Sequence, residues 1–199
     1  MEKEETMKDI IAKVQQWCID SGLDRTDPLV QYVDLVENTS ELGNSIISGD
    51  YIDQEFAVGK IMLSLTVICM QTDIIDIENC LIFAADWDYP FLYNFRDSIK
   101  RIKDTGKGSY KTPLEIFPSM LSSLNFLGAS LTKFPDGEPR KACLVSAVGD
   151  ILILLIKISE SLDLSDIDDC YWAAFEEIKE NPDQLHLKTD IEKEKRMSL

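Results

Sequence analysis

The sequence contains one histidine, His186, and it lies in a polar stretch near the C-terminal end. Imidazole metal sites and imidazole acid–base catalysis are therefore nearly excluded, since both rest on that ring. Cationic side chains are also scarce. Twenty Lys and Arg stand against 36 Asp and Glu, a formal net charge of −16. Nucleic-acid polymers and anionic bilayers repel such a chain, so neither is expected as a partner; a small anion held by locally placed cations is still allowed. The five cysteines (Cys18, Cys69, Cys80, Cys143 and Cys170) are odd in number and show no Cys-x-x-Cys spacing. Most lie in apolar helical stretches, which points to reduced, buried thiols and a cytoplasmic setting. Met1-Glu2-Lys3-Glu4-Glu5 is charged and has no apolar core, so it does not read as a signal peptide. No apolar run approaches the length of a membrane span. No segment reads as a strand, and Gly106-Lys107-Gly108-Ser109 lacks the strand and glycine spacing of a P-loop.

What the chain does have is a repeat. Ala57-Val58-Gly59-Lys60-Ile61 recurs as Ala147-Val148-Gly149-Asp150-Ile151, an offset of 147 − 57 = 90. Asp73, Asp76, Ile77 and Cys80 fall on Asp163, Asp166, Ile167 and Cys170 at the same offset. A long period of this kind marks duplication of a whole structural unit. Helical periodicity predicts elements over 7–21, 28–47, 52–71, 76–85, 92–103 and 113–132, then the Val145–Ile156 stretch to about 162, and a last helix to 179. Gly22 stops the first; Asp27-Pro28 caps and opens the second. The expected architecture is all-α: two four-helix units, 1–89 and 90–183, forming one pseudo-symmetric bundle, with a polar tail over 184–199. The third and seventh helices are apolar almost all round, which marks burial between others.

Leu35-Val36-Glu37-Asn38-Thr39-Ser40-Glu41-Leu42-Gly43 resembles the first motif of the all-α, MazG-like nucleoside triphosphate pyrophosphohydrolases, Glu-Glu-x-x-Glu in an apolar helix. Ala147-Val148-Gly149-Asp150 resembles their second motif, Glu-x-x-Asp. The resemblance covers nearly the whole chain, once per unit. It implies carboxylates that hold Mg²⁺, which grips a triphosphate while water attacks the α-phosphorus. The chemistry is sound: Glu37 and Glu41, four apart, share a helix face, and Mg²⁺ takes oxygen ligands.

The sequence departs from that pattern. Asn38 replaces the second Glu of the first motif. Ala57 and Lys60 replace the Glu and Asp of the second. In the second unit the first motif maps onto Ser122, Ser123 and Phe126, and Ala147 stands for Glu beside Asp150. A lysine about 4 Å from a divalent ion would be repelled by roughly 8 kcal/mol at an effective dielectric near 20, so Lys60 and Mg²⁺ should not share a pocket. Lys60 is expected to pair with Glu37 or Glu41, or to meet a ligand phosphate.

The expected function is binding without catalysis: a pseudoenzyme that sequesters or senses a nucleotide or nucleotide-derived small molecule, with no metal cofactor. The candidate ligand-binding residues are Glu37, Asn38, Glu41, Lys60, Asp150, Trp17 and Arg25. Trp17, Trp87, Tyr89 and Trp172 are rings that stack on a base or pack at helix ends. The alternative is a Mg²⁺-dependent pyrophosphohydrolase whose site is assembled across units or subunits from Glu37, Glu41 and Asp150. A third reading is a structural or partner-binding helical protein, in which Glu37 and Glu41 are merely exposed, Lys60 and Asp150 sit in structural ion pairs, and the Lys100, Arg101, Lys103, Lys107, Lys111 cluster is a solvated face. A homo-oligomer, a dimer of tandem chains, is expected.

Overall fold

The computed structural model describes residues 6–86, 95–106 and 112–181. They form helices only: α1 (Met7–Ser21), a 3₁₀ turn (Leu23–Arg25), α2 (Pro28–Ser48), α3 (Tyr51–Gln71), α4 (Ile77–Asp86), α5 (Phe95–Gly106), α6 (Pro113–Lys133), α7 (Glu138–Ser161) and α8 (Ile167–Glu180). Their ends follow from local chemistry. Thr6 and Asp9 make a reciprocal capping box at α1. Asp27 Oδ1 accepts from the Leu29 amide at 2.9 Å, with Pro28 in the first turn of α2. Gly22 and Gly49 end α1 and α2 at φ 75° and 73°, a region that costs a side-chain-bearing residue.

The core is one contiguous cluster that draws on every helix from α1 to α8. Residues 57–59 and 61–69 of α3 are all buried. α3 packs chiefly on α2 and α8, and α7 packs chiefly on α6 and α4. The halves drawn at residue 90 therefore exchange their fourth helices. Two glycines make the exchange close. A Cβ on Gly59 would collide with the Cys170 carbonyl oxygen and lie 2.5 Å from Ala174 Cβ; a Cβ on Gly149 would collide with the Cys80 carbonyl oxygen and with Ala84 Cβ. Each residue of the first contact reappears in the second at the 90-residue offset. Likewise Asp73 and Asp163 both take positive φ, 51° and 55°, after α3 and α7. The amides that follow, of Ile74 and Leu164, donate to the carbonyls of Cys69 and Ser159. α2 meets α6 through a second reciprocal pair: Phe117 lies against Gly43, and Tyr32 against Gly128. Tyr32 also donates to the Leu124 carbonyl at 3.2 Å.

Three sequence expectations shift. α7 begins at Glu138, seven residues before Val145, because Pro139 provides a first-turn start. On α2, helical periodicity puts Val33 and Val36 among the apolar positions, yet they are 54% and 36% exposed. The face that docks on α3 buries Gln31, Asp34 and Asn38 instead. Finally, α7 is by length and composition apolar enough to cross a membrane, with mean hydropathy 2.1 over an 18-residue window. Asp150 and Lys157 interrupt that run in the sequence and hide its average hydropathy. In the fold α7 lies among α4, α5 and α6, and 61% of the window is buried.

Candidate ligand site between the second and third helices

Gln31, Asp34, Asn38 and Glu41 stand three, four and three residues apart on α2, so they line one helical face. That face meets Lys60 and Ser64, which are one turn apart on α3. At the inner end the Ser64 hydroxyl accepts from Gln31 Nε2 and from Asn38 Nδ2, each at 3.1 Å. Gln31 is fully buried, and Asp34 and Asn38 are 5% and 8% exposed. At the outer end Lys60 forms an ion pair with Glu41. The Lys60 side chain is 15% exposed and that of Glu41 56%, so the pair closes the row where it reaches solvent. Phe56, with its ring centroid 5.3 Å from Lys60 Nζ, flanks the cation.

A polar row on a helix–helix seam needs its partners, because a buried polar group without one is costly. Ser64 answers two amides at once, yet Gln31 Oε1 is buried without a hydrogen bond. The row is thus rich in buried acceptors (Gln31 Oε1, the Asp34 carboxylate), with the Lys60 ammonium at its solvent end. Its chemistry is recognition by hydrogen bond and charge. Cys18 and Cys170 add no nucleophile: burial, helped by Asp24, pushes Cys18 up to about 12, and burial, helped by Glu55, does the same to Cys170.

Asn38, Glu41 and Lys60 lie on this seam, with Asn38 inward and Glu41 and Lys60 paired, while Glu37 is exposed on α2. Asp150 is exposed on α7. Trp17 is committed to the α1–α8 seam, edge-on to Phe175 with centroids 5.9 Å apart, and Trp172 stacks obliquely on the same ring. Arg25 is 83% exposed in the 3₁₀ turn, 3.7 Å from Asp24. Trp87, Tyr89, Lys107, Lys111, His186 and the 184–199 tail lie outside the described residues.

The positions that resemble the Mg²⁺ motifs do not fit that ion. Ala57 and Lys60 stand where two carboxylates would be needed. Among the described residues no group of three or more His, Cys, Asp or Glu is placed to hold a metal; Glu37, Glu41 and Asp150 are not gathered into one. The second half carries no counterpart of the row: at the offset of 85 that relates Gly43 to Gly128, Ile116 replaces Gln31 and Ser119 replaces Asp34, and 90 residues on from Ser64 stands Leu154.

The motif spacing did not single out Gln31, Asp34 or Ser64. Their signal was present as polar residues at helical spacing on one face of α2, opposite a lone serine in the largely apolar α3.

Comparison with protein-family models, curated proteins and solved structures gives no significant match to this chain.

Proposed function

We propose that this chain is a non-catalytic, MazG-like binder that sequesters or senses a nucleotide or a nucleotide-derived small molecule at the α2–α3 seam. One observation carries the reading: Lys60, at the position of the second-motif aspartate, is paired with Glu41 of the first motif. A cation there supplies with one fixed charge the electrostatic role that a divalent ion plays in an active relative. A ligand phosphate exchanges with Glu41 for the ammonium. A sugar hydroxyl or base amine donates to the acceptors behind it. The pair meets solvent on its Glu41 side, where screening weakens it, so a phosphate that makes a charged hydrogen bond of about 1.5–3 kcal/mol can displace the carboxylate.

The same reading makes the chain an internally duplicated body in which two units mimic a dimer of single units. The reciprocal seams at Gly59 and Gly149, and at Gly43 and Gly128, support it. Two such chains associate further: Leu29, Val33 and Val36 on α2 and Leu114 and Leu121 on α6 leave exposed apolar stripes on two helices that touch each other.

The test is calorimetry with a panel of nucleoside mono-, di- and triphosphates, run in EDTA on wild type and Lys60→Ala. Metal-free binding that weakens roughly ten- to a hundredfold in the variant supports the proposal. Binding that disappears in EDTA, or an unchanged Lys60→Ala, sinks it.

A further inference from the structure

A cleft of about 640 Å³ is lined by the N-terminal ends of α1, α5 and α8. That volume is in the range of small-molecule sites. Met7, Phe95 and Ile99 form its floor and are 6%, 3% and 8% exposed. Lys8, Arg96 and Lys100 stand on the rim, and none of the three makes an ion pair with another described residue. Four acids also line it, and three are engaged within the protein. Glu78 Oε1 accepts from the Phe95 amide at 3.1 Å. Asp166 pairs with Lys103 at 3.2 Å. Asp104 holds an interaction of its own. Asp168 sits in the first turn of α8, where the helix dipole steadies a negative charge.

Three cations without an ion-pair partner among the described residues, around an apolar floor, stand out in a chain of net charge −16. Arg96 and Lys100 are four apart on α5 and share a face. Lys8, on α1, lines the same cleft. The guanidinium fork suits a phosphate's paired oxygens, and the floor suits a flat apolar body.

We propose that this cleft is a second, independent site for a small organic phosphate, with the phosphate held by Arg96, Lys100 and Lys8 and the organic part on Met7, Phe95 and Ile99. It does not depend on the role given to Lys60. A mononucleotide has both features at this size, so adenosine monophosphate is the probe, and adenosine and inorganic phosphate each test one half of the cleft.

The experiment is a titration of all three probes at low salt, followed by backbone amide shifts, on wild type, Lys60→Ala and Arg96→Glu/Lys100→Glu. The side chains altered in the double variant are exposed, so its circular dichroism should match wild type. The expected result is that adenosine monophosphate shifts amides of residues 95–103 in wild type and in Lys60→Ala. It should bind at least about tenfold more tightly than adenosine or phosphate. The double variant should lose about tenfold or more, and 0.5 M salt should weaken binding in wild type. Adenosine binding as tightly as its monophosphate would overturn the proposal, as would shifts confined to α2 and α3 or affinity within about twofold of wild type in the double variant. Loss of these shifts in Lys60→Ala would assign them to the other site and also overturn it.

Discussion

Gly59→Ala places a methyl group into the α3–α8 seam, where it meets the Cys170 carbonyl oxygen and Ala174 Cβ. The first is backbone and cannot rotate away. Relief requires the two helices to separate along a fully buried seam. Overpacking typically costs about 1–3 kcal/mol and more where the neighbour is rigid. Replacing glycine by alanine inside a helix returns about 1 kcal/mol. With the cost at or above the top of that range, the net loss is about 2 kcal/mol or more. For a chain of this length that lowers Tm by roughly 4–8 °C. Gly149→Ala meets the equivalent pair, the Cys80 carbonyl oxygen and Ala84 Cβ, and should lose a similar amount. Urea unfolding of both variants, analysed for midpoint and slope, measures it. If either variant is as stable as wild type, α3 and α8, or α7 and α4, do not approach as described, and the exchanged-helix arrangement fails with them.

Other outcomes follow from the same structure. A pyrophosphate-release assay on nucleoside triphosphates with Mg²⁺ or Mn²⁺ should show no useful turnover; turnover abolished by Glu41→Gln would restore the enzyme reading. Stability should fall above pH 9. Cys18 and Cys170 titrate near 9 when unfolded and near 12 when folded, so the unfolded chain releases protons first and the two thiols together cost about 3 kcal/mol by pH 10. A flat urea midpoint from pH 7 to 10 would contradict that. Light scattering at micromolar concentration should give more than the 22.6 kDa monomer mass, and Val36→Glu/Leu121→Glu should lower it; a strictly monomeric wild type refutes the association.

Much of the fold was legible because the chain punctuates its helices strongly. Gly22, Asp27-Pro28 and Gly49 set three boundaries within a residue or so of their observed places. The repeat at offset 90 was legible as identity of residues. That Gly59 and Gly149 serve helix crossing was not, because a glycine's use depends on what approaches it from a distant part of the chain: Cys170 and Ala174 at Gly59, Cys80 and Ala84 at Gly149. The α2 face was misread for a related reason. Valine counts as apolar in any periodic reading, but Val33 faces outward since Gln31 and Asn38 find Ser64 across the seam. Hydrogen-bond partners on another helix override single-helix hydropathy. Asp150 illustrates the converse: its place in an apolar run suggests a buried charge, yet it emerges at the surface of α7.

The most direct measurement is a native mass spectrum of the freshly purified chain, taken in EDTA. The account predicts an added mass of nucleotide size on wild type, much reduced on Lys60→Ala and retained on Arg96→Glu/Lys100→Glu. A bare chain mass for wild type, with no heat in calorimetry against the nucleotide panel, would contradict it.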